Sequence, residues 1–275
     1  MSSDSLSPTL PPELEREIFQ MLAYSDPLFA PKLMLVACRV KAWVETDLYR
    51  VLVLADFFDC FPFKNISHLK SIPAPLLRDS VRTVHLGGIP LETAEYILST
   101  CTGIEDLLIS TGMGNISSLL HLLGRLPLRR FVGDPRDLSD GPMDFSHPFF
   151  SQLTHLHPFA LIAFSSAWRG LASVPHLTHF SFDEGFLHLV PHLLQHCKCL
   201  RAAVLRTFSE DTWIEKRYSR ELETLATEVR FVQMAATTDA WWGDPLKVWD
   251  YCIQAEEHIA KRVSGKIDVK EYRIC

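Results

Sequence analysis

Eight times along this chain a six-residue pattern recurs with apolar residues at its first, fourth and sixth positions. It reads LYRVLV at Leu48, VRTVHL at Val81, IEDLLI at Ile104, LRRFVG at Leu128, LTHLHP at Leu153, LTHFSF at Leu177, LRAAVL at Leu200 and VRFVQM at Val229, with Gly133 and Pro158 standing in for two of the apolar residues. From Val81 onward the starts are 23, 24, 25, 24, 23 and 29 residues apart. A unit of this length holds one short strand and one return segment. It cannot bury its own apolar face, so neighbouring units must stack and share a core. Alternating apolar residues mark each six-residue stretch as a strand, and equal spacing favours parallel pairing with the preceding one.

The intervening stretches carry helical spacing where they are regular: LETAEYILSTC after Pro90, NISSLLHLLGRL at Asn115 and FLHLVPHLLQHC at Phe186. The single 29-residue spacing accommodates a charged helix, SEDTWIEKRYSRELETLATE. The middle, with GDPRDLSDGPMDFSHP, is expected to be the least regular part. The reading is an α/β chain with parallel strands and return helices over residues 51–240.

Both flanks differ. In residues 1–50 a polar leader precedes an amphipathic helix with Leu14, Ile18, Met21 and Leu22 on one side. Pro12 suits the first helical position, and Glu13 and Glu15 suit the positive end of the helix dipole. SDP at Ser25 ends that helix, and a second is predicted from Pro31 to Leu48, with Leu33, Val36, Ala37, Val40, Trp43, Val44 and Leu48 on one stripe. Residues 241–275 begin with Trp241 and Trp242, then give a helix with Asp244 as N-cap, Pro245 at its first position and Gly265 past its end. Leu246, Trp249, Ile253, Ala260 and Val263 line one side of it. A stack of repeats exposes an apolar end, so this helix is expected to be a C-terminal cap.

The 23-to-25-residue period resembles an irregular leucine-rich-repeat solenoid. LPPELEREIFQML followed by LMLVACRVKAWVETDLYRVL resembles the F-box-like segments common in fungal proteins. The matching residues are Leu10, Pro11, Glu13, Leu14, Ile18, Phe19, Leu22, Val36, Cys38, Arg39 and Trp43. A tryptophan-rich stretch before a helix containing alanine and glutamate is also similar to proteins of that kind. The resemblance implies docking on the Skp-type adaptor of a cullin–RING ubiquitin ligase, with Leu10, Pro11, Leu14 and Ile18 as adaptor contacts. The repeats would then hold a target protein. The alternative is a leucine-rich-repeat interaction scaffold in which the F-box-like segment is only a structural cap.

Composition narrows the partners. The net charge of -6, without a basic cluster, argues against nucleic acid. Seven scattered cysteines without CxxC pairs, and a start lacking a basic and apolar leader, suit a reduced cytoplasmic or nuclear protein. The apolar run LHPFALIAF is too short to span a bilayer, so no membrane partner is expected. Histidines His188, His192 and His196, with Cys197 and Cys199, have metal-ligand spacing in part. They form the polar side of a helix whose other side holds Leu187, Val190, Leu194 and Cys197, so no metal or cofactor is expected.

The third and fifth positions of each strand point away from the core, toward the concave side of a solenoid. They place Asp106, Arg130, His155 and His179 in one row, with His85, His157 and Ser181 beside it. Ser181 has no glycine elbow around it, and TGMGN at Thr111 lacks a phosphate-loop context. No catalysis is expected; the row is read as a candidate face for binding a protein target.

Overall fold

The computed structural model describes residues 10–26, 29–55, 62, 66–110, 116–138, 143–158, 168–208, 212–236 and 248–274. Nine strands form one sheet in chain order, every neighbouring pair parallel. They are β1 (Val51–Ala55), β2 (Thr83–Gly87), β3 (Asp106–Ile109), β4 (Arg130–Val132), β5 (His155–His157), β6 (His179–Phe182), β7 (Ala202–Phe208), β8 (Phe231–Ala236) and β9 (Arg273–Ile274). Parallel neighbours require a crossover after each strand, which is why the period is long. The outcome is a solenoid-like α/β stack.

The six-residue pattern fits this sheet from Val81 to Leu205. Val84, Leu86, Leu107, Ile109, Phe131, Leu156, Phe180, Phe182, Ala203 and Leu205 all enter one continuous core under the return segments. Burying each of the larger side chains is worth about 1.5–3 kcal/mol. At the strand starts one carbonyl serves two donors. The Arg82 carbonyl accepts from the N–H of Glu105 (2.8 Å) and of Asp106 (3.0 Å), and the same arrangement recurs at Arg50, Glu105, Arg129, Thr154 and Thr178. This leaves the first peptide groups of β2 to β7 satisfied although those strands are only three to seven residues long.

The phase is displaced by one residue at both ends. Leu52 and Leu54 of β1 align with Val84 and Leu86, so Val51 and Val53 face away from the core. Phe231 and Gln233 of β8 align with Ala203 and Leu205, which puts Val232 and Met234 on the far face. Strands covered on both faces are largely apolar on both, so alternation carries little phase there, and in β8 the one polar residue, Gln233, is itself buried.

The return segments are α4 (Ile66–Leu69), α5 (Ala74–Ser80), α6 (Leu91–Thr100), α7 (Leu120–Leu123), α8 (Val190–His196), α9 (Thr212–Arg217) and α10 (Ser219–Leu225). The charged linker helix is thus two short helices. Pro191 lies in the first turn of α8, after a 3-10 segment over Glu184–Leu189. The described return segments flanking β5 are 3-10 turns, Pro135–Leu138 and Pro148–Phe150 before it and Arg169–Ser173 after it, and aromatic rings pack among them. Phe131 meets Phe149 edge-on at 5.1 Å, Phe145 meets Phe150 at 4.9 Å, and Trp168 meets Phe186 at 5.0 Å. Gly133 ends β4 with φ of 151°, and a Cβ there would sit 3.0 Å from the Ile109 carbonyl oxygen and from the Phe131 ring. That position excludes a side chain.

At the N-terminal side α1 (Pro12–Ser25) and α3 (Cys38–Leu48) pack through Ala23, Val40, Val44 and Leu48, with Ala30 and Leu33 of α2 (Ala30–Leu33). The predicted second helix is interrupted after Leu33. Ala37 adopts extended backbone, and Leu35 and Val36 point outward at 85% and 62% exposure, so nothing holds them in a helical stripe.

At the C-terminal side α11 (Asp250–Val263) differs from the expected cap in both its start and its place. Asp244, Pro245 and Leu246 lie outside the described residues, as do Trp241 and Trp242. Tyr251, Cys252 and Ala255 pack on Ala202, Val204, Val232 and Met234, so the helix lies across the far face of β7 and β8. The edge beyond β8 is taken by β9. Ile253 and Val263, predicted on the packed side, are 60% and 68% exposed. Gly265 does end the helix, at φ of 70°, with its N–H on the Arg262 carbonyl and the Lys266 N–H on that of Lys261.

Candidate functional site

The strand register builds a ladder across the far face: Val51, Thr83, Asp106, Arg130, His155, His179 and Ala202 are successive neighbours. The predicted row of Asp106, Arg130, His155 and His179 is therefore contiguous. A second row runs through Val53, His85, Leu108, Val132 and His157, and on through Ser181, Val204 and Val232.

Arg130 grips Asp106 with Nε and one terminal nitrogen, each bonded to a different carboxylate oxygen, and Thr83 donates to the same carboxylate at 3.2 Å. The Asp106 side chain is 10% exposed and that of Arg130 39%. Burial works against the Arg130 charge, but the hydrogen bond and charge of Asp106 outweigh it and hold its pKa above the ordinary value. A planar fork against a carboxylate is the strongest pairing these side chains can make.

The two histidines are fixed by a repeated Thr-His dipeptide. Thr154 Oγ1 lies 2.9 Å from His155 Nδ1 and donates to the Arg129 carbonyl at 3.0 Å; Thr178 does the same for His179 and the Thr154 carbonyl. The rings stack at 4.2 Å with 5° between their planes. Burial lowers the His155 pKa to about 3, helped by His179 and Arg130, so this imidazole is neutral at physiological pH. Burial also lowers His179, against the pull of Glu256, whose Oε1 is 3.2 Å from its Nε2.

Two of the remaining candidates of the face are sealed. His157 is fully buried, with Nδ1 2.8 Å from Ser181 Oγ, which lies 2.6 Å from the Tyr251 hydroxyl. Burial holds His157 well below its usual pKa and Tyr251 well above its own. His85 is 7% exposed and borders the groove. The predicted binding face is thus corrected at His157 and Ser181, which Tyr251 of α11 covers. Trp249, just before α11, meets His155 edge-on at 5.4 Å and lies 5.9 Å from the Arg130 guanidinium. Val248 closes over Leu108 and Val132.

What stays open is a groove of about 610 Å³ along the strand starts. Its floor is Thr83, Asp106, Arg130, His155 and His179; its walls are Tyr24, Asp47 and Arg50 on one side and Trp249, Ile253 and Glu256 on the other. The wall residues were not singled out from sequence as a site: Trp249 and Ile253 read only as apolar helix residues, Arg50 is a polar position of the first repeat, and Tyr24, Asp47 and Glu256 carry no pattern of their own.

The other predicted site is separate. Leu10, Leu14 and Ile18 are 37%, 47% and 48% exposed, Pro11 is exposed, and Met21 and Leu22 extend the strip at 63% and 47%. On the opposite side of α1, Ala23 is buried and Phe19 packs with it. Arg39 pairs with Glu15 at 2.8 Å, which places the start of α3 beside α1.

His192 and His196 stand 4.4 Å apart between ring centroids, and Cys197 is buried with its thiol toward the Leu177 carbonyl. Among the described residues no group of three or more His, Cys, Asp or Glu is placed to hold a metal ion. Among them, too, no helix is long and apolar enough to cross a membrane. No known family model matches the chain, and no curated protein is similar to it.

Proposed function

We propose that the chain is a non-catalytic recognition protein of the F-box-like kind, docking on a Skp-type adaptor through α1 and holding a target protein with a leucine-rich-repeat stack. The observation that carries this reading is the apolar strip of α1. Leu10, Leu14, Ile18, Met21 and Leu22 lie along one side of the helix with more than a third of their surface exposed, while Leu35 and Val36 add a second exposed apolar element. An apolar strip of this extent on a folded unit is the signature of a protein contact. On this reading the protein supplies proximity and orientation and contributes no reacting group.

The test is co-purification with a Skp-type adaptor. Leu14→Asp with Ile18→Asp should abolish capture while the thermal melt stays within a few degrees of the parent, because both side chains already face water. Loss of folding together with loss of capture would favour the second reading. In that reading the helical unit is a structural cap of an interaction scaffold, and what favours it is the contact of Tyr49 with the main core. An adaptor that never binds the parent protein would remove the docking role altogether.

A further inference from the structure

We propose that the groove at the strand starts receives a basic side chain, lysine or arginine, of a partner protein. The proposal rests on the recognition role given to this face above, and it names the chemistry that role selects.

The charges lining the groove are not equivalent. Three of its four arginines are already engaged inside the protein. Arg130 is forked on Asp106, Arg82 donates to the Val81 and Asp79 carbonyls at 2.8 and 2.9 Å, and Arg50 lies 4.6 Å from the centre of the Tyr24 ring. Arg201 is left, exposed at the rim. The carboxylates of the groove are less tightly held. Glu105 pairs with Arg129 at 4.0 Å, on an exposed side chain. Glu256 keeps 47% of its side chain exposed, with His179 as its ion-pair partner among the described residues, and Asp250 is exposed with no bond among them. Asp47 Oδ2 is shut off from solvent without a hydrogen-bond partner among the described residues. Burial raises its pKa, with Arg50 and Arg16 opposing, as expected of a carboxylate lacking a close cation.

A cation entering here therefore meets the exposed carboxylates of Asp250 and Glu256, whereas an anion on the floor would have to displace the bonds of Arg130 and Arg82, with Arg201 open to it at the rim. The neutral state of His155 removes a competing positive charge from the floor. Trp249, half-buried between Arg130 and His155, and Tyr24 on the opposite wall give the stem and head of a basic side chain aromatic surface.

The test uses the full chain and a fluorescein-labelled hexa-arginine peptide, read by anisotropy, with labelled hexaglutamate as the opposite probe. Glu256→Gln with Asp250→Asn should weaken hexa-arginine binding about tenfold, the combined effect of two solvent-facing charges on a multiply charged peptide. Glu13→Gln with Glu17→Gln removes two acidic charges from α1, outside the groove, and should leave binding unchanged. Equal weakening by both pairs would reduce the effect to overall charge and overturn the proposal, as would hexaglutamate binding as tightly. The four substitutions replace carboxylates by amides of the same shape, so a thermal melt near the parent's is expected throughout. Adaptor capture with no hexa-arginine binding would sink the groove alone; hexa-arginine binding with no capture would sink the docking role alone.

Discussion

α1 and α11 are both fourteen residues long and both amphipathic, yet they meet opposite fates. α1 buries Ala23, packs Phe19 beside it and leaves Leu14, Ile18, Met21 and Leu22 exposed. α11 buries Tyr251, Cys252, Ala255 and even Arg262 against the sheet. The difference lies in what faces each helix. β7 and β8 offer Ala202, Val204, Val232 and Met234, small or flexible enough for a helix to lie close. Along the strip of α1, Leu14, Ile18, Met21 and Leu22 enter no core cluster of the described residues. One helix has its apolar side covered inside the chain, and the other leaves its apolar side exposed.

Arg262 is the sharpest way to break that contrast. Its guanidinium donates to the carbonyls of Val229 (3.1 Å), Phe231 (2.5 Å), Ala226 (2.8 Å) and Val269, at 3% exposure. Arg262→Ala strands these acceptors and should cost about 3 kcal/mol or more in chemical denaturation. It should also free α11, seen as faster amide exchange along the helix. Unchanged exchange would mean that Tyr251 and Ala255 suffice.

Acidification comes next. His155, His157 and His179 all have pKa values lowered by burial, whereas the unfolded chain binds these protons near pH 6.5. The unfolded state therefore binds more protons below that pH. Stability from His155 is complete above about 6.5 and is lost as pH falls toward about 3. A melt series from pH 7 to 4 should show a falling midpoint, and His155→Phe should flatten it; an equal slope in the variant would place the sensitivity elsewhere. Smaller again is Ala255→Leu, which overfills the seam between α11 and β7 and should cost about 1–3 kcal/mol. Smallest is Leu14→Ala with Ile18→Ala, expected within about 0.5 kcal/mol per site because exposed positions carry little packing. A loss of several kcal/mol there would show that α1 is covered after all.

Much of the frame was legible in the sequence. The strand positions from Val81 to Leu205, the burial of Leu187, Val190 and Cys197, and the row from Asp106 to His179 all follow from a period of about 24 residues and an alternation of two. The alternation failed at Val51–Leu54, where every residue is apolar, and at Phe231–Met234, where both faces are covered and the one polar residue, Gln233, lies on the core side. The break after Leu33 was hidden because Val36 and Ala37 fit a helical stripe that the fold never uses. Arg262 reads as one more surface cation at a helix end, and only the carbonyls gathered around it show otherwise.

The sequence by itself determined the parallel stack, since repeated short apolar strands at equal spacing have no other way to bury a common core. It also determined which side chains share a row, since parallel register follows from the repeat. Only the tertiary structure decided which of those rows meets water. α11 comes from the far end of the chain and lies over β7 and β8, and no local pattern encodes where a distant helix will settle. That one placement turns His157 and Ser181 into buried links and leaves Asp106, Arg130 and His155 as the floor of a groove.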